Sequence, residues 1–191
     1  MDQQDLARTL TPGKRLFMFV LGFASGLPYV IFTGTIVAWL TTGGVETSTI
    51  GVLSWAGLAY AFKFLWSPLI PAVRLPILPK SISMGRLRRW MLACQAVIVF
   101  SLFVISSLDP RQGVALVALL AVLSTFASAT QDIAIDAWRI RAAEDSKMLD
   151  VLSTVVQFGY RISTFIGATG VLIYADIAGW GQAWIFLSAA M

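Results

Sequence analysis

Two aspartates, Asp132 and Asp136, stand four residues apart in the stretch SATQDIAIDAWRIRAAEDSK (128–147), at the end of a long apolar run. On a helix that spacing puts both carboxylates on one face, one turn apart, with Gln131 beside them. Two carboxylates so close in a medium of reduced dielectric do not both ionise freely, and a proton carrier needs that property. Two cations, Lys63 and Arg161, also fall inside apolar runs. A charge at mid-bilayer costs about 3 kcal/mol or more unless it is paired, hydrated or near the interface, so such residues turn to the protein interior and to function. The four charges sum to zero. Two readings stay open: a proton-coupling group of Asp132, Asp136 and Lys63, or a static ion network that fixes helix register.

Neutral groups accompany the cations. Gln157 and Tyr160 precede Arg161 in VVQFGYRIS, and Tyr29 and Thr33 follow Pro28. Aromatic and amide groups beside a cation suit a sugar or peptide ligand, although the same groups also line ordinary helix contacts. Arg161, Gln157, Tyr160, Gln131 and Tyr29 are therefore the candidate substrate-binding residues. Arg161 lies ten residues into its run, roughly 15 Å deep at 1.5 Å per residue. Lys63 is placed at a depth from which it reaches one of the aspartates.

The elements that must hold these residues follow from composition. Of 191 residues, 58% are hydrophobic and only 13% charged, with a mean hydropathy of +0.79, against roughly 25% charged in an average soluble domain. The chain reads as an all-α membrane protein. Cys94 is the only cysteine, so no internal disulfide forms, and there is no histidine. Without histidine, and without a paired nucleophile and base, the sequence supports neither a metal centre nor an enzyme, and no cofactor is implied.

Apolar runs long enough to cross about 30 Å of hydrocarbon cover about 16–40, 50–70, 90–108, 114–134 and 151–175, and a partial one covers 182–191. They describe one bundle over 1–191. The first run, introduced by Lys14 and Arg15, is too long for a cleaved leader and lacks a small-residue cleavage site, so it reads as an anchor. Arg8, Lys14, Arg15, Arg74, Lys80, Arg86, Arg88, Arg89, Arg139, Arg141 and Lys147 fall on one side of the alternating connections, and Arg111 alone on the other. That asymmetry puts the N-terminus in the cytoplasm. The net charge of +4 is then topology, with no basic soluble face for nucleic acid. Gly22, Gly26 and Gly34 let a neighbouring backbone approach the first helix. Pro28 predicts a kink or local unwinding, the prolines at 71, 76 and 79 argue against a continuous helix, and Trp39, Trp66, Trp90 and Trp138 read as interfacial anchors.

Several stretches together resemble the AmpG-type muropeptide permeases of the major facilitator superfamily: LGFASGLP (21–28), TIG (49–51), AYAFKFLWSPL (59–69), GRLRRW (85–90), ASATQDIAIDAW (127–138) and GYR (159–161). The resemblance spans the chain. It implies the N-terminal six-helix bundle of a major facilitator fold, with the sixth helix truncated, and a proton-coupled importer of N-acetylglucosamine linked to anhydro-N-acetylmuramic acid, with or without peptide, across the bacterial inner membrane. It assigns coupling or gating to Asp132 and Asp136, balanced by Lys63 and Arg161. The sequence departs from the family pattern at Pro71 and Ala72, where an acidic residue and an arginine usually follow SPL.

The implied partners are the lipid bilayer, a small-molecule substrate, and the C-terminal half of the same transporter or another membrane subunit. Two alternatives remain: a facilitator-derived half serving as a non-transporting subunit of a larger membrane complex, and a same-fold transporter of another anion such as acetyl-CoA.

Overall fold

A computed structural model describes residues 12–73 and 85–191. Arg8, and Arg74, Pro76, Pro79 and Lys80 of the basic connection, lie outside the described residues. Every regular element among those described is helical. Five helices are long and apolar enough to cross a membrane: α1 (Pro12–Thr42), α2 (Thr47–Leu65), α3 (Arg86–Ile105), α4 (Val114–Ala142) and α5 (Ser146–Ala178). A sixth, α6, covers Trp180–Ala190, and a short helical turn covers Leu69–Ala72. This is the arrangement of the N-terminal helical bundle of a major facilitator fold.

Several helices outrun their apolar stretches. Hydropathy marks only what sits in hydrocarbon, whereas the backbone goes on hydrogen-bonding into the interface. Thus α4 continues to Ala142, making Asp136 and Arg139 helical neighbours. The start of α5 is capped by Asp145, whose Oδ1 accepts from the Met148 amide at 2.6 Å, as N-caps do. Gly179, at φ +85°, makes the turn from α5 into α6 that a side chain would strain.

Small residues set the tightest contact, between α1 and α5. A Cβ on Gly22 would sit on the Val156 backbone, one on Gly159 on the Phe19 carbonyl, and one on Gly26 against Ser163 and the Tyr160 carbonyl. Gly34 touches nothing in this way; it belongs to a π-type turn, Ile31–Thr35. A matching π-type turn, Ile166–Gly170, interrupts α5, and the two are tied by the buried Thr35 hydroxyl donating to the Gly167 carbonyl at 3.0 Å. Wide turns of this kind often mark functional regions of a helix.

Pro28 does not unwind α1, which runs through it. The proline takes the donor away from the Ala24 carbonyl one turn earlier. Gln131 Nε2, from α4, donates to that same carbonyl at 3.4 Å.

The largest core cluster joins Leu27, Ile31 and Leu40 of α1, Ile98 and Leu102 of α3, Val117 of α4 and Trp184 of α6. Trp39 belongs to it, 3% exposed and edge-on to Trp184 at 5.3 Å, so it is a core residue and not the interfacial anchor its position suggested. Phe100, Phe103, Leu119 and Ile177 face outward, as lipid-facing side chains do.

Candidate functional site

The site is built where α2 crosses α4. Lys63 Nζ stands 3.6 Å from Asp132 Oδ2, with Asp132 12% exposed and Lys63 37%. The other carboxylate oxygen, Oδ1, accepts from Ser25 Oγ of α1 at 2.5 Å. One carboxylate thus ties three helices. The α-helical geometry of α2 breaks at this point, giving way to a tighter 3-10 turn over Lys63–Leu65. Two more polar links join α2, and the residue that follows it, to α4: Tyr60 Oη to Ser128 Oγ at 2.5 Å and Trp66 Nε1 to Thr130 Oγ1 at 3.2 Å. Around this crossing α2 exposes Leu58, Phe62, Phe64 and Leu65, so polar side chains supply much of its hold on α4.

Asp136 is separate from this centre. Its side chain is half exposed and pairs within α4 with Arg139, three residues on, at 2.9 Å. The two aspartates therefore have different partners: an interhelical lysine for the enclosed one and an intrahelical arginine for the open one. Arg161 joins neither pair among the described residues. It is exposed and lines a shallow concavity on α5 with Asp150, Ser153, Thr154, Gln157 and Phe158. The expected balance of both aspartates by Lys63 and Arg161 is thus replaced by Lys63 with Asp132 and Arg139 with Asp136. The reason is that α4 stays helical past its apolar run and brings its own arginine to Asp136.

Tyr29 is 38% exposed and meets Tyr60 edge-on at 4.9 Å, with the Tyr160 ring 6.4 Å away. Gln131 is buried, its amide nitrogen on the Ala24 carbonyl and its Oε1 without a hydrogen-bond partner in the described structure. It braces α1 from within the protein, whereas Gln157 is exposed. Sequence reasoning missed Ser25, Tyr60, Ser128 and Arg139. The Asp136 to Arg139 spacing of three is a visible helical signal; Tyr60, one turn before Lys63, had only that proximity to recommend it.

At the Pro71 and Ala72 departure, both carbonyls accept from Arg86 Nη1, at 2.7 and 3.1 Å, and Trp90 Nε1 donates to the Val73 carbonyl at 3.2 Å. Backbone acceptors hold the arginine there.

Five membrane-length helices, three of which meet at an ionic centre, define a multi-pass membrane protein. No family model matches the chain. It is 37% identical over 176 residues to the anhydromuropeptide permease of Escherichia coli strain K12, a match that takes in 90% of this chain and 34% of that protein. It is 34% identical over 166 residues to putative transporter AmpG 4 of Rickettsia conorii, covering 86% of this chain and 39% of the relative. An uncharacterized protein of Haemophilus influenzae matches at 34% over 178 residues, or 93% of this chain and 40% of its own length. The chain is a partial homologue of the AmpG-type permeases, a transporter family and not an enzyme family, and spans between about a third and two fifths of the length of these relatives.

Proposed function

We propose that this chain forms the N-terminal helical half of a proton-coupled importer of muropeptides, N-acetylglucosamine linked to anhydro-N-acetylmuramic acid with or without peptide, in a bacterial inner membrane with its N-terminus cytoplasmic. The observation that carries the reading is the enclosed Asp132 paired with the partly exposed Lys63 of another helix, in a chain homologous to permeases. Charges held at this cost across several helices suit a group whose protonation changes during transport. A proton on Asp132 removes its attraction for Lys63, leaves the Ser25 link available, and frees α2 to move against α4. Asp136, open to water beside Arg139, serves as the entry or gating carboxylate. Arg161 and Gln157 bind substrate from α5, Tyr29 and Tyr160 line its path, and Gln131 supports that path by holding α1 at Pro28. The substrate cavity closes against a complementary helical half, supplied by the same polypeptide or by another subunit.

The test is uptake of the labelled disaccharide into vesicles holding the protein from its own membrane, driven by an imposed pH gradient. Wild type accumulates it; Asp132→Asn does not, yet still exchanges it down its own gradient. Accumulation by Asp132→Asn equal to wild type would remove proton coupling from this residue. Uptake of acetyl-CoA in place of the disaccharide would reassign the substrate.

A further inference from the structure

Three tyrosines from three helices meet beside the ionic centre: Tyr29 of α1, Tyr60 of α2 and Tyr160 of α5. The Tyr29 and Tyr60 rings stand at 89° with centroids 4.9 Å apart, and the Tyr29 and Tyr160 rings at 37° and 6.4 Å. Core packing alone does not require three phenols in one place, because a buried hydroxyl needs a partner that leucine or phenylalanine does not. Here one hydroxyl is fixed, Tyr60 Oη on Ser128 at 2.5 Å, and none of the three residues is fully enclosed. Ser128 precedes Asp132 by one turn on α4, and Tyr60 precedes Lys63 by one turn on α2. The same crossing therefore carries two rungs, one phenolic and one ionic.

A group of this kind has aromatic rings to offer, the phenols of Tyr29 and Tyr160 in addition to the Tyr60 hydroxyl held on Ser128, and a partly open ammonium one turn along α2 from Tyr60, Lys63 being 37% exposed. That chemistry complements a saturated ring with an apolar C–H face, hydroxyls around its edge and a carboxylate attached. We propose that Tyr29, Tyr60 and Tyr160 form an aromatic wall that takes one pyranose ring of a carboxylated sugar. Tyr60 is its positioning residue, linking occupancy of the wall to the Lys63 and Asp132 pair through the shared turn of α2. The substrate class rests on the transport reading above; the wall itself rests on the ring geometry.

Binding without any gradient tests it, by titration calorimetry on the protein purified from its own membrane in mild detergent. The probes are N-acetylglucosamine linked to anhydro-N-acetylmuramic acid, the methyl ester of that disaccharide, and adenosine diphosphate. Loss of one aromatic contact is expected to weaken disaccharide binding about tenfold in Tyr60→Leu, and by no more than about threefold in Tyr60→Phe, which keeps the ring. The methyl ester binds more weakly than the acid. Tyr60→Phe also slows gradient-driven uptake at saturating substrate, because the Ser128 rung is gone, while a purely structural role would lower the folded yield and leave the affinity and the rate per folded molecule unchanged. Phe100→Leu, on the outward face of α3, changes nothing. Should Tyr60→Leu fail to fold, Tyr29→Leu reads the same wall from a more exposed position. Wild-type protein that ignores the disaccharide or prefers adenosine diphosphate overturns the proposal, as does undiminished binding in Tyr60→Leu or Tyr29→Leu. Tyrosine-dependent binding without gradient-driven uptake leaves the wall standing and removes the importer reading; uptake with an unchanged KM in Tyr60→Leu does the reverse.

Discussion

Gln131 of α4 donates its side-chain amide to the Ala24 carbonyl of α1 at 3.4 Å, the acceptor that Pro28 leaves without a backbone partner. A proline in a membrane helix frees a carbonyl that lipid cannot satisfy, and here a neighbouring helix satisfies it. Gln131→Leu is expected to lower stability by about 1 kcal/mol, and by clearly less in a Pro28→Ala background, where a backbone amide restored at that position regains the bond. Thermal unfolding of the four proteins in detergent measures the coupling; equal losses in both backgrounds would dissociate Gln131 from Pro28.

Removing Lys63 should be worse than removing the pair. Lys63→Ala leaves the Asp132 carboxylate enclosed with only Ser25 as partner, a loss of about 2 kcal/mol once the partial exposure of the lysine is allowed for. Adding Asp132→Asn to Lys63→Ala recovers most of it. Melting temperatures of the two single variants and the double variant decide this, strict additivity being the result that counts against a coupled pair.

Asp136 belongs to another class. Its side chain is half exposed with Arg139 beside it, so Asp136→Asn shifts stability by no more than about 0.5 kcal/mol while abolishing gradient-driven uptake. Unchanged uptake would strip Asp136 of its gating role.

Glycine tolerance maps the α1 and α5 contact. Gly22→Ala and Gly159→Ala place a methyl group on opposing backbone and are expected to lose about 2 kcal/mol or more, with a fall in folded yield. Gly51→Ala meets nothing within 4 Å and gains a few tenths, on the order of the helix preference for alanine. Monodisperse protein recovered on size-exclusion chromatography reports the ranking.

Arg161 and Gln157 are exposed, so Arg161→Gln and Gln157→Leu keep the folded yield of wild type. Loss of a charge-assisted contact raises the KM for the disaccharide by about tenfold in Arg161→Gln. Normal kinetics would return both residues to a lipid or interhelical role.

Sequence by itself determined which residues are exceptional. Hydropathy and charge are local quantities, so the membrane runs, the basic side of the connections and the costly quartet Lys63, Asp132, Asp136 and Arg161 are legible without coordinates. Close approach at Gly22 and Gly26 is legible for the same reason, since a missing side chain is a property of one position. Tertiary structure alone decided the partners. Lys63 was expected to reach one aspartate, and the place where α2 crosses α4 made it Asp132; Asp136 faces Arg139 because a turn of extra helix beyond an apolar run costs nothing that composition records. Gln131 serves Ala24 and not the open surface because the rotation of α4 against α1 turns it inward. Tyr60 reaches Tyr29 and Ser128 only once α2 crosses both of their helices. Helix rotation and depth arise from packing summed over the whole bundle, and no window of sequence contains that sum.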